Sequence, residues 1–237
     1  MSKIVIENLY PEFNNLYGDT SNLAYLVKKL ALAEVEVEVI NTSLFDKPAF
    51  ACRDDVDLLY IGPCTERKQE AELAALTPYR DALYSRTESD RITLCTGNAF
   101  ELFGEKIVRH DATELPALSF WGTYAKRFSK LRFNDSCVGS FDEISVVGFK
   151  NQLSHSYGET PAPFLSLSVG SGLNPESSLE GARINRFFAT YLLGPLLPLN
   201  PLFSAELLKT LSPGAEQVTL PFELDAYNKR LIAIQAK

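Results

Sequence analysis

Six side chains of this 237-residue sequence carry the usual nucleophile or general-base chemistry: Cys52, Cys64, Cys95, Cys137, His110 and His155. Cys95 has the most suggestive setting. It lies in Arg91–Thr96 (RITLCT), an apolar run, and a helical stretch opens at Asn98 just after Gly97. A sharp strand-to-helix turn can expose a nucleophile while N–H groups at the helix start stabilise an oxyanion. A helix N-terminus also lowers a thiol pKa. The competing reading is a buried strand cysteine, since free Cys is commonly buried. Cys64 lies in a second loop, Gly62–Gln69 (GPCTERKQ), as a candidate reactive thiol by location alone. His155 is a candidate base, and a solvated loop histidine is its alternative. His110 reads as exposed, and Cys52 and Cys137 as incidental. No cysteines form a C-x-x-C and neither histidine stands at zinc spacing from a cysteine, so no structural zinc site is expected.

The elements around these residues alternate. Lys3–Leu9, Glu34–Asn41, Asp57–Gly62 and Arg91–Thr96 read as strands. Asn22–Ala33, with Ser21 as its cap, and Thr65–Ser85, with a kink at Pro78, read as helices. This rhythm predicts a parallel sheet covered on both faces, with ligands beyond the carboxyl ends of the strands. Asp142–Phe149, Phe164–Val169 and Phe187–Leu193 add strands, and Leu202–Leu211 and Phe222–Gln235 add helices. No repeat or linker divides the chain, which predicts one domain over 1–237.

Six strings, in order, resemble a known family. Leu9–Asn22 (LYPEFNNLYGDTSN) is similar to "LYPDLLNLYGDxGN", and GPCTERKQ stands at the place of "GGGxDREQ". Cys95–Gly104 (CTGNAFELFG) stands at "CGGYQLLG", and Gly148–Tyr157 (GFKNQLSHSY) at "GFENHxGxTY". Gly170–Asn174 with Glu180-Gly181 resembles "GxGxN…EG", and Thr190–Pro201 (TYLLGPLLPLNP) resembles "TYLHGPLLPKNP". These are motifs of class I glutamine amidotransferases of the cobyric acid synthase type, above all of the subunits that work with a Mur-ligase-like partner on lipid II. The resemblance implies an α/β fold: three-layer α/β/α, flavodoxin-like, with a mostly parallel central sheet. It also implies a pocket for glutamine or a related small molecule, at which Tyr17, Gly18, Asp19, Asn22, Gly62, Glu66, Gln69, Gly97 and Asn98 would lie. Arg127 or Arg132 would receive a carboxylate there; spacing does not choose between them. Plainer readings are a turn and helix cap for the Tyr17–Asn22 group, a helix start for Glu66 and Gln69, and surface positions for both arginines.

The departures bear on activity. A glutaminase of this kind needs a Cys nucleophile, a His base and an oxyanion loop. The family's histidine falls on Leu193, which has no proton to move. Its glycine loop has become Gly62-Pro63-Cys64, and proline lacks an N–H. Counting back from Gly104, its nucleophile falls on Gly97, two residues after Cys95. Two readings follow: a degenerate amidotransferase-like partner subunit in cell-wall synthesis, or an active glutaminase using Cys95, with His155 or a partner residue as base, that feeds a synthetase in peptidoglycan or cobalamin-type chemistry. A different reaction through Cys64 or Glu66 is a third.

Lys plus Arg number 23 and Asp plus Glu 30, a net charge of −7, which argues against nucleic acid or an anionic membrane as main partner. Phe187–Ala205 carries no charge, but Gly194, Pro195, Pro198 and Pro201 interrupt it, so no membrane insertion is expected. No G-x-x-x-x-G-K-[ST] loop occurs, no cofactor is implied, and a cytoplasmic location is expected. Phe120–Tyr124 (FWGTY) and Pro195–Pro201 (PLLPLNP) read either as core closure or as a docking surface for another chain.

Overall fold

Side chains alternate across a strand, and in this protein the alternation sorts them into two cores. In β1 (Ile4–Leu9), Ile4 and Ile6 join one core while Val5 and Leu9 join the other. The computed structural model describes residues 3–218 and 220–236. Along the chain follow α1 (Thr20–Leu32), β2 (Val37–Thr42), β3 (Leu58–Ile61), α2 (Glu66–Leu76), α3 (Arg80–Ser85) and β4 (Ile92–Thr96). A run of short strands comes next: β5 (Lys106–Val108), β6 (Glu114–Pro116), β7 (Thr123–Arg127), β8 (Phe133–Phe141), β9 (Ile144–Gln152) and β10 (Ser154–Gly158). The chain closes with β11 (Leu165–Val169), β12 (Leu179–Glu180), β13 (Ala182–Ile184), β14 (Phe187–Thr190), α4 (Leu196–Leu199), α5 (Pro201–Leu211) and α6 (Pro221–Gln235).

A six-stranded sheet has the order β13-β14-β4-β3-β1-β2. Its neighbours pair in parallel except β13 with β14. Two four-stranded sheets join it, β10-β7-β5-β6 and β12-β11-β8-β9. The first is mixed and the second antiparallel. The central sheet is parallel except at its β13 edge, but with the two added sheets the strands of this α/β protein are mixed rather than mostly parallel; antiparallel hairpins such as β8–β9, which turns at Asp142 with φ +51°, account for the difference. Leu23, Leu26 and Leu30 of α1 and Phe203 and Leu207 of α5 pack on one face of the large sheet, with Leu73 and Leu76 of α2 on the other.

Several boundaries differ from those read in the sequence. Pro78 breaks the long helix into α2, a 3-10 turn over Thr77–Tyr79, and α3. The stretch after β4, Gly97–Phe103, is 3-10 rather than α-helical. Helix α1 begins at Thr20, so Ser21 lies inside it and its hydroxyl donates back to Gly18 O at 2.6 Å. Phe120 and Trp121 are not a docking face: they are 7% and 5% exposed and pack with Phe103 and Phe187. Leu196 and Leu197 are likewise buried. Among the described residues no helix is long and apolar enough to cross a membrane.

Candidate functional site

The carboxyl ends of β1, β3, β4 and β14 stand side by side, and the loops that leave them surround a cleft of about 100 Å³. The loop after β4 turns at Gly97, whose φ of +61° lies in the left-handed region that favours glycine. A Cβ on Gly97 would lie 2.5 Å from Pro63 Cβ and 2.6 Å from Leu193 Cδ2. Three loops separate in sequence thus meet at one point, and there they offer a hydrogen, a pyrrolidine ring and an isobutyl group. Two backbone donors beside this point are engaged. Gly97 N–H donates to Leu192 O at 3.0 Å. Asn98 locks onto the backbone of Cys64: its Oδ1 accepts from Cys64 N–H at 3.0 Å, and its Nδ2 donates to Cys64 O at 2.9 Å.

A buried polar chain lies under this floor. Glu101, 2% exposed, accepts from Gln69 Nε2 at 3.0 Å, from Tyr191 OH at 3.1 Å and from the Ser154 hydroxyl. Burial pushes its carboxyl above the ordinary range, while these donors and Arg127 oppose the rise. Gln69 Oε1 accepts from Arg127 Nη2 at 2.6 Å, and Arg127 Nη1 pairs with Glu70 at 2.7 Å. Hydrogen bonds from Arg109 and then Arg127 hold the Glu70 carboxyl down at about 2. Two buried atoms that face no partner belong to residues lining the cleft: the Nε–H of Arg127 and the Oε1 of Gln152. Buried polar atoms are normally satisfied, so this unused donor and acceptor suit a polar ligand or ordered water. At the mouth Arg132 Nη1 reaches Tyr17 OH at 3.2 Å and Asn151 Oδ1 at 2.6 Å.

Of the residues expected at the pocket, the fold brings Tyr17, Glu66, Gly97, Asn98, Arg132 and Leu193 to the cleft. Gln69 lies beneath it. Asp19 and Asn22 are buried pins: Asp19 accepts from Tyr17 N–H and Gly194 N–H, each at 2.8 Å, and Asn22 bonds Gly194 O, Tyr60 OH and Leu197 N–H. Gly18 forms an exposed turn at φ +79°, and Gly62 lets the backbone of Asn14 approach, since a Cβ there would sit 2.6 Å from Asn14 O.

Cys95 is not brought to the cleft. Strand β4 runs on through Thr96, so the turn comes too late to expose it, and its side chain enters the core that holds Leu59 and Phe100. It is fully buried, and burial pushes its thiol well above the ordinary value. His155 is neither solvated nor in a loop. It lies in β10 with its ring centroid 3.7 Å from that of Phe133, and burial, then Lys150, lowers its pKa. Gln152 and Lys150 join it around a separate small hollow. Cys64 does line the cleft, yet burial and the carboxylates of Glu72, Glu101 and Glu66 push its thiol up. Sequence reading missed Glu101, Ser154 and Tyr191; Glu101 stood in the CTGNAFELFG string as the one ionisable residue of that turn.

No family model matches the chain. It is 26% identical over 225 residues, 94% of this chain and 89% of the relative, to subunit GatD of lipid II isoglutaminyl synthase (glutamine-hydrolyzing) from Staphylococcus aureus (strain N315). A glutamine amidotransferase structure from Thermotoga maritima matches with a TM-score of 0.51 at 9% identity, covering 98% of this chain and 99% of that one. The glutaminase domain of Trypanosoma brucei CTPS with bound acivicin gives a TM-score of 0.46 at 12% identity, covering 96% of this chain and 94% of that one. With its six-stranded sheet and carboxyl-end cleft, the chain has an α/β fold like that of the Thermotoga maritima glutamine amidotransferase, and its sequence bears a distant likeness to GatD.

Proposed function

We propose that this protein is an amidotransferase-like subunit without glutaminase chemistry, acting as partner or regulator of a Mur-ligase-like enzyme in cell-wall synthesis. The observation that carries the reading is the meeting of Gly97, Leu193 and Pro63. Where the resemblance calls for a thiol, an imidazole and an amide donor, these residues supply none. Cys64 N–H, the next donor on the loop, is spent on Asn98. The unpartnered Arg127 Nε–H and Gln152 Oε1 support a retained pocket for glutamine or a related small molecule. The likeness to a subunit of a two-part synthase supports a partner role. All four cysteines are unpaired thiols, which favours a reducing, cytoplasmic home. The competing glutaminase through Cys95 gains no support from a buried thiol with no base beside it.

The test is a glutamine-mimicking diazo-ketone added to native lysate, with mass spectrometry of each cysteine and an assay of glutamate release. The expected result is no glutamine-protected label at any cysteine and no glutamate released by the purified protein. Protected labelling of Cys95 or Cys64 overturns the reading and identifies the nucleophile.

A further inference from the structure

A second concavity, of about 290 Å³, opens near the amino-terminal ends of β3 and β4, the ends opposite those that form the cleft. Its lining includes Arg53, Asp54, Arg86 and Arg91. Arg86 is 4% exposed. It donates from Nε to Thr93 Oγ1 at 2.9 Å, from Nη1 to Val56 O at 3.0 Å and from Nη2 to Ile92 O at 2.8 Å. A guanidinium has five N–H bonds, so these neutral acceptors leave two of them, one on each terminal nitrogen. No carboxylate forms an ion pair with Arg86 among the described residues, although Glu7 and Asp57 act on it from farther away. Arg91 also lines the groove, and its side chain has neither hydrogen bond nor ion pair among the described residues. The two cations repel each other; burial and then Arg91 push Arg86 down to about 10. A buried guanidinium with no carboxylate in contact is costly, and an anion between the two would relieve both the desolvation and the repulsion.

Arg53 is committed to Asp55 and Glu38, and Asp54 is exposed. The hydroxyls of Ser85 and Ser89 already donate to Ala82 O and Arg86 O. Recognition therefore falls to Arg86 and Arg91. A carboxylate's two oxygens serve one guanidinium fork; an ion with more oxygens serves two.

We propose that this groove binds an oxyanion of the phosphate class, held between Arg86 and Arg91. Its volume also leaves room for a small organic group beside the phosphate, as in a phosphomonoester. The proposal is independent of the amidotransferase reading.

The experiment is calorimetric titration of the full-length protein with inorganic phosphate and with glycerol 3-phosphate, each against chloride at matched ionic strength. One saturable site is expected. Arg91→Ala, which removes a side chain bonded to nothing, should keep the fold by circular dichroism and weaken binding at least about tenfold. Arg132→Ala, at the cleft mouth, should leave the affinity unchanged. Tighter binding of the ester assigns an organic phosphate, and equal or weaker binding assigns the free ion. No saturable heat with either compound, Arg91→Ala binding like the parent, or loss of binding in Arg132→Ala overturns the proposal.

Discussion

Leu193 occupies the space into which any side chain on Gly97 would grow, its Cδ2 lying 2.6 Å from where that Cβ would stand. The two residues are complementary, and neither position can be restored alone. Gly97→Cys should destabilise the fold by roughly 2–4 kcal/mol, combining a left-handed backbone with overpacking. Leu193→Ala in the same chain should recover part of that loss, with Pro63 accounting for the remainder. A double-mutant cycle in denaturant measures the coupling, which should exceed about 0.5 kcal/mol.

Glu72 predicts a pH dependence. Both its carboxyl oxygens and the Oδ1 of Asn14 are buried acceptors without donors. A proton on Glu72 removes the buried charge among these acceptors and gives the acid a donor of its own. Burial pushes the carboxyl up to about 8, and Cys64, Asn14 and Lys68 do not offset it. The folded protein then keeps a proton that the unfolded chain releases near its ordinary value of 4.5. This contribution to stability is complete below that value and falls as pH rises toward 8, by on the order of 5 kcal/mol. Glu72→Gln keeps the donor and removes the titration. Its denaturation midpoint should decline less than the parent's between pH 6 and pH 9, within roughly that free-energy difference.

Arg127→Lys tests the chain beneath the cleft. The guanidinium reaches Glu70 and Gln69 together, and an ammonium cannot span both with the same geometry. A loss of about 1–3 kcal/mol is expected from the Gln69 Oε1 left buried without its donor, read by chemical denaturation. Lysine at a surface arginine would change little.

Lys29 in α1 carries the attachment of the last helix. Its ammonium, 2% exposed as a residue, meets Glu223 at 2.5 Å and Val218 O at 2.8 Å. Lys29→Met should cost roughly 3 kcal/mol, because Glu223 then stays half-buried without its partner. Amide exchange should show the loss of protection concentrated in α6.

Much of this site was readable along the chain. The loops after β1, β3 and β4 follow from strand-and-helix rhythm, and the substitutions at Pro63, Gly97 and Leu193 stand out against the motifs. What spacing could not reveal was that these three residues touch, because strand neighbours in a parallel sheet are distant in sequence. The face of Cys95 turned on where β4 ends, and one residue of register moves a side chain from one core to the other. Glu101 and Ser154 escaped notice for a related reason. Each lies on a different element, and only the β7–β10 pairing, with Arg127 opposite Ser154, assembles them.

The contacts of Asp19 with Gly194 and of Asn22 with Leu197 each close a span of 175 residues. Such long closures carry a large entropic cost and form late in folding. On the ribosome, the early strands can pair while the cleft still lacks its wall. The concavity first takes shape when the segment around Leu193 has left the exit tunnel, so a chain released before that point would fold part of its sheet and have no pocket at all.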